Sequence, residues 1–278
     1  MADPYAPALL HPIAVALTVR DAAGTEAFYR EVIGLQVVGR DDGAVHLGAS
    51  GIAFLELLHQ PDALPDDPAA AGLFHTAFLL PTRADLGRWL AHIGTLGHPL
   101  DGSADHLVSE AAYLHDPEGN GIEVYADRPR AEWRWVGTPD GRRVEMANRP
   151  LDTAGLLGLA GTPPAATPWT GAPDGTRIGH VHLRVGDTAE ARRFYGGTLG
   201  MDLTRAWPAA AFFGTGGYHH DIAANTWHSE GTGRRDPRRA GLARITFEAS
   251  GGHLTPGDLD DPWGTPLRIQ ATHPHPGA

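Results

Sequence analysis

The chain contains no cysteine. Disulfides are excluded, and so is any metal site built on thiolates. Positive charge is short as well: 22 Lys and Arg stand against 33 Asp and Glu, a formal net charge of −11. That balance argues against a nucleic acid or an anionic membrane surface as partner. No apolar run approaches the ~20 residues that a membrane-spanning helix needs. Residues 12–19 are apolar, but no basic residue precedes them, so they read poorly as a signal peptide. These absences leave a cytoplasmic enzyme as the expectation. What the chain has in quantity is 36 Gly, 23 Pro and 16 His. Glycine and proline at that density predict many turns between strands. The histidines, with carboxylates, are the means left for holding a transition metal.

Residues 105–125 read as strand, tight turn, strand. Asp116-Pro117 opens the turn, and Gly119-Asn120-Gly121 tolerates positive φ. Ile122 and Val124 then share one strand face, and Gly121, Glu123 and Tyr125 the other. A carboxylate at mid-strand among apolar residues is costly unless a cation meets it. Elsewhere, residues 13–19, 73–80 and two short runs within 45–58 alternate as strands. Residues 25–33 and a segment capped by Thr82 carry helical spacing. Residues 133–146 suggest a hairpin turning at Pro139-Asp140-Gly141, with Trp133 and Trp135 as its packing. Residues 151–159 suggest a short helix, and 161–175 a linker.

The chain repeats itself. Val15, Leu17, Val19 and Asp21 return as Val181, Leu183, Val185 and Asp187, and Phe28-Tyr29 as Phe194-Tyr195, all at one offset. Gly72-Leu73 returns as Gly241-Leu242, and Asp116-Pro117 as Asp261-Pro262, with a shortening between them. Such self-similarity signals duplication. Four βαβββ modules follow, starting near residues 11, 72, 178 and 241, the last having lost most of its helix.

The polar residues are unevenly shared. Module two carries His75 and Glu123, where module four carries Arg244 and Arg268. Module three carries His180, and His219-His220 in its third or fourth strand, where module one has Ala14, with Ala53 and Phe54 opposite the pair. Two imidazoles and one carboxylate with open positions make the facial triad typical of non-haem Fe(II). His180 is the expected second imidazole, with His182 on the same strand face as rival. His220 is the unligated acid/base beside the metal, since imidazole titrates near neutrality. His11, His46, His59, His92, His98, His228, His273 and His275 read as surface residues. If modules two and three pair, His75, Glu123 and His180 converge on one ion; if each half closes on itself, they do not.

His106, Ala112-Tyr113, Asp116-Pro117-Glu118-Gly119 and Glu123, in that spacing, resemble the signature of type I extradiol ring-cleavage dioxygenases, within the vicinal oxygen chelate superfamily. Ala104 and Ala112 depart from the strict signature. Residues 72–75, 105–110, 119–123, 127–130, 178–183 and 216–220 extend the likeness to two-domain catechol 2,3-dioxygenases over nearly the whole chain. The resemblance implies an α+β fold of four modules in paired, curved mixed sheets. It implies an N-terminal domain over 1–150, a linker over 151–177 and a C-terminal domain over 178–278. It implies Fe(II), less often Mn(II), held by His75, His180 and Glu123, with dioxygen as co-substrate and a small aromatic diol cleaved to a muconic semialdehyde-type product. His106 and Tyr113 would hydrogen-bond the substrate or oxygen-derived groups, and His220 would handle protons. His182, Tyr218 and His219 are assigned to the substrate. A homo-oligomer is left open; no nucleic acid or membrane partner is expected. Asp221 stands where close relatives carry a histidine. An extra carboxylate there keeps open a metal-dependent isomerase or lyase of the glyoxalase kind. A ligand-sequestering resistance protein is the other alternative on this scaffold. The shortened module four is expected to leave one side of the cavity less covered.

Overall fold

The computed structural model describes residues 9–138, 141–161 and 168–272. Module one runs β1 (Leu10–Val19), α1 (Ala22–Phe28), β2 (Gln36–Asp41), β3 (Ala44–Ala49) and β4 (Ile52–His59). The Asp21 side chain caps α1 by accepting from Gly24 N. A π-helical turn, Tyr29–Ile33, extends the helix until Gly34 stops it at φ 83°. Module two runs β5 (Gly72–Leu79), α2 (Arg83–Leu96), β6 (Gly102–Asp105), β7 (Ser109–His115) and β8 (Gly121–Asp127), with Thr82 capping α2 as the sequence indicates. A hairpin follows, β9 (Trp135–Thr138) and β10 (Gly141–Val144), then α3 (Thr153–Ala160). The expected turn residues Pro139 and Asp140, residues 162–167 of the expected linker, and His273 and His275 lie outside the described residues.

Module three runs β11 (Arg177–Arg184), α4 (Thr188–Ala191) with its own π-helical turn (Arg192–Thr198), β12 (Asp202–Trp207), β13 (Ala210–Gly214) and β14 (Ile222–Asn225). Module four is strands only among the described residues: β15 (Gly241–Ala249), β16 (Gly257–Asp260) and β17 (Pro266–Ala271). The loss of its helix agrees with the shortened repeat. β2 and β6 carry no individual apolar alternation; β2 is mostly exposed, and β6 reads Gly-Ser-Ala-Asp.

The strands form two large mixed sheets. One is ordered β16-β17-β15-β1-β4-β3-β2, the other β12-β13-β14-β11-β5-β8-β7-β6. At the centre of each is an antiparallel pair from the two halves of the chain, β1 with β15 and β5 with β11. Module one therefore pairs with module four and module two with module three. Each sheet takes strands from before and after residues 151–177.

The turn between β7 and β8 shows why its sequence is Asp-Pro-x-Gly. Asp116 Oδ1 accepts from Glu118 N and Asn120 N, both at 2.9 Å, and Gly119 sits at φ 86°, where a side chain would be strained. Asp261 makes the same bonds to Trp263 N and Thr265 N at 2.9 and 2.8 Å, with Gly264 at φ 80°. Past the turn, Ile122 and Val124 enter the main core with Phe78 and Val181, as the face assignment requires. Glu123 points out of the opposite face of the sheet, into a cavity.

Candidate metal centre

Register brings the polar residues together. Ala77 on β5 lies opposite Glu123 on β8 and opposite His180 on β11. Directly paired residues point to the same face, and neighbouring strands lie ~4.8 Å apart. The side chains of Glu123 and His180 therefore lean toward each other over Ala77, which has only a methyl group to offer. His75 is two residues along β5 on that same face, opposite His182. The result is tight: His75 Nε2 is 3.0 Å and His180 Nε2 3.1 Å from Glu123 Oε2. One ligand atom from each of the three residues lies within 4.8 Å of the others, and all three residues are buried. Gly179 makes room beside His180, because a Cβ there would fall 1.8 Å from Tyr125 Oη.

The electrostatics call for a cation. Burial raises the Glu123 carboxyl, but the charges and hydrogen bonds of His180 and then His75 outweigh it and hold the group well below its ordinary range. Burial pushes His75 and His180 the other way for imidazoles, down, with Glu123 only partly offsetting it. That compensation needs the imidazoles protonated, so when burial leaves them uncharged the carboxylate has no cation beside it. Among the described residues, no Arg makes an ion pair with Glu123. His180 Nδ1 is buried without a hydrogen-bond partner. Two neutral imidazoles around an undercompensated carboxylate are a donor set for one divalent ion. Of the two rivals, His180 joins this group. His182 is turned to Asn225, whose Nδ2 lies 2.9 Å from its Nε2. Burial pushes His182 well down, so it stands uncharged.

Around the cluster is a cavity of about 810 Å³, lined by His75, His180, Glu123, His182, His106, Tyr113 and His220 together with an apolar wall that includes Phe74, Trp207, Phe212 and Trp227. That is ample for a small aromatic molecule. In the neutral form of His106, Nδ1 carries the proton, because it meets the Ala147 carbonyl at 3.1 Å. Its Nε2 then accepts from the Tyr113 hydroxyl at 2.6 Å. Burial, then the Glu123 charge, raises Tyr113 well above its ordinary value, so it keeps its proton. The turn that presents His106 is strained: Leu107 stands at φ 71° with its N–H donating to Asp105 Oδ1 at 2.8 Å.

Four expectations change. His219 and His220 lie in the connection between β13 and β14, not in a strand. Of residues 218–220 only His220 lines the cavity. Gly216 and Gly217, at φ 57° and 70°, turn the chain so that Tyr218 packs on Trp133 and bonds Tyr125 Oη at 2.7 Å, with His219 behind His220. The substrate assignments of Tyr218 and His219 therefore give way to supporting positions. Asp221 also faces away from the cavity and accepts from Thr215 N at 2.9 Å. His228 is exposed, as expected, and also lines the cavity. Among the described residues module four lines none of the cavity, so its shortening leaves that lining unchanged.

The other sheet shows what the same register does without histidines. Ala16 lies opposite Glu56 and Arg244, as Ala77 lies opposite Glu123 and His180. There Arg244 Nη2 donates to Glu56 Oε2 at 2.5 Å, and an ion pair occupies the equivalent place. Arg268 is turned to Asp258. Glu56 is not singled out by sequence, because only the register identifies it as the counterpart of Glu123.

Residues 10–124 and 177–251 match the description "Glyoxalase/Bleomycin resistance protein/Dioxygenase superfamily". The chain belongs to that superfamily. It is 41% identical over 235 residues to a catechol-2,3-dioxygenase of Bacillus subtilis, spanning 83% of this chain and 79% of that protein. Over 72 residues it is 36% identical to biphenyl-2,3-diol 1,2-dioxygenase 2 of Rhodococcus globerulus, covering 26% of this chain and 38% of that one. The glyoxalase I structure from Zea mays superimposes with a TM-score of 0.54 at 16% identity, over 94% of this chain and 92% of that one. That last likeness concerns fold alone, and the fold is the vicinal oxygen chelate fold that the resemblance implied. The resemblance to extradiol ring-cleavage dioxygenases is borne out, and the chain is an enzyme of that class.

Proposed function

We propose that this enzyme cleaves a small catechol beside its two hydroxyls, consuming dioxygen and giving a muconic semialdehyde-type product, with iron(II) or manganese(II) held by His75, His180 and Glu123. The observation that carries the reading is the convergence of two uncharged imidazoles and one undercompensated carboxylate inside an aromatic-walled cavity. When bound there, such an ion supplies the Lewis acidity that lowers the pKa of the catechol hydroxyls and the redox chemistry that dioxygen requires.

The remaining roles belong to the protein. His220 faces the cavity with its ring centroid 4.1 Å from that of His180, within reach of a hydroxyl bound beside the ligand set. Burial, then the neighbouring His180, pushes it well down, so it enters the cycle uncharged and able to accept a proton. The His106–Tyr113 pair holds a phenol hydroxyl toward Glu123 from the other side. Phe74, Trp207, Phe212 and Trp227 exclude water and give the substrate ring its aromatic surroundings. A glyoxalase-kind isomerase loses the residue that kept it open, since Asp221 does not reach the cavity. A sequestering protein has no use for a three-residue ligand set.

The test is oxygen uptake with a panel of catechols on protein loaded anaerobically with Fe(II). One dioxygen consumed per catechol, with a yellow product, is the expected result. Protein that binds the metal yet consumes no oxygen with any member of the panel would overturn the reading.

A further inference from the structure

His220 has a neighbour that controls it. His220 Nδ1 lies 2.7 Å from His219 Nδ1, and His219 Nε2 lies 3.0 Å from Asp127 Oδ1. The three groups form one hydrogen-bonded line from the cavity to the end of β8. Asp127 is half-exposed there, its side chain 25% accessible, while the His219 side chain is fully enclosed. The His219 ring is caged by Tyr218, Trp133 and Tyr125, with centroids at 4.2, 5.2 and 6.2 Å. Its two nitrogens therefore keep their two partners.

The direction of the line follows from what each group can do. A carboxylate only accepts, so His219 Nε2 carries a hydrogen. Neutral His219 then has a lone pair at Nδ1. A hydrogen bond to that lone pair must be donated by His220 Nδ1. His220 Nε2 is left without a hydrogen, and His220 lines the cavity.

We propose that His219 and Asp127 are positioning residues that fix His220 in the Nδ1–H tautomer, with its Nε2 lone pair available to the substrate. The assignment rests on the catechol-cleaving reading for its consequence, though its geometry stands without it. His220, expected from sequence as an acid/base, begins the cycle as the base. It takes the proton of a catechol hydroxyl at Nε2 and becomes an imidazolium whose Nδ1–H still points to His219. The same proton is available for return later in the cycle, so none is gained or lost. Asp127 stabilises the cation from one residue away, as the buried carboxylate of a catalytic triad does.

The spacing explains how one strand serves both tasks. Glu123, Tyr125 and Asp127 alternate along β8 on one face. The first holds the ion, the second packs on His180 at a ring distance of 5.0 Å, and the third sets the histidine pair.

Two measurements test this. Nitrogen-15 correlation spectra of the full chain, histidine-labelled and metal-free, report which ring nitrogen of His220 is protonated, with His220→Gln giving the resonance assignment. The proposal requires Nδ1–H in the unsubstituted protein, and Nε2–H there would overturn it whatever the activity. In Asp127→Asn the amide can donate to His219 Nε2 and reverse the line, so His220 should change to Nε2–H. With Fe(II) loaded, kcat should then fall on the order of 10–10²-fold while KM and metal content hold. A loss of metal, a matching change in KM, or unchanged turnover would show a structural role and sink the idea. Absence of catechol turnover in the unsubstituted enzyme would refute the dioxygenase reading and leave the tautomer result standing.

Discussion

Tyr29 donates its phenolic hydrogen to Asp116 Oδ2 at 3.1 Å, deep in the core and 87 residues away in sequence. Tyr195 does the same to Asp261 Oδ2 at 2.9 Å. Strand pairing joins module one to four and two to three. These two hydrogen bonds join one to two and three to four. The four modules are thus linked in a closed ring of contacts, and the turn that precedes the last strand of a module is held by the helix of its neighbour. Burial, then the aspartate charge, raises both tyrosines well above their ordinary value, so both remain donors.

Tyr29→Phe should therefore cost about 0.5–1.5 kcal/mol, because Asp116 keeps its three bonds from Glu118 and Asn120. That corresponds to a fall of a few degrees in melting temperature, at about 2–4 °C per kcal/mol for a chain of this size. Tyr195→Phe should match it. A much larger loss in one of them would show that the two turns are not equivalent.

Glu123→Ala should abolish binding of the divalent ion, since two neutral imidazoles leave its charge unmet. Metal analysis of the purified variant decides the point. Full occupancy would remove Glu123 from the ligand set and reopen His182.

The acid dependence of metal binding has a definite sign. Binding requires His75 and His180 unprotonated, and burial keeps both below the ordinary imidazole value of 6.5. Affinity should stay level down to pH 6.5 and fall only in more acid solution, as protons compete for the imidazoles. A titration at several pH values that shows affinity already falling between pH 8 and 7 would contradict it.

Asp221 is 1% exposed, and burial raises its carboxyl well above the ordinary value. A group whose folded pKa lies above its unfolded one contributes stability that is fully present below the unfolded pKa. That contribution is lost as pH rises through the folded pKa. Asp221→Asn keeps the acceptor for Thr215 N and removes the titration. Its melting temperature should exceed that of the unsubstituted protein at pH 8, and the gap should narrow as pH falls toward 5. A gap of constant size would show that the carboxylate is accommodated without penalty.

The meeting of His75 and Glu123 with His180, or its rival His182, was legible from sequence because the repeat supplies its own comparison: where two modules hold histidine and glutamate, the others hold Ala14, Arg244 and Arg268. The module pairing followed from the same contrast, since only one arrangement lets the three side chains meet. Ala77, Asn225 and Asp127 were not legible. Ala77 matters for the space it leaves, Asn225 for the nitrogen it gives to His182, and Asp127 for a histidine it reaches through another. None has a signature apart from the register and turns that place it. Residues 218–220 failed for a related reason. Three consecutive polar aromatics read as one patch, but the backbone at Gly216 and Gly217 sends them in different directions.

The central pair of the first sheet matches Leu10 with Ala249. As the chain is made, β1 emerges long before its partner strand. At a synthesis rate of ~5–20 residues per second, β1 waits roughly 10–50 s for β15 with an apolar edge unpaired. The second sheet closes earlier, once β11 has emerged. His75, Glu123 and His180 can therefore be brought together before the first strand has found its partner, and the edge of β1 stays open to pairing with other chains in the meantime.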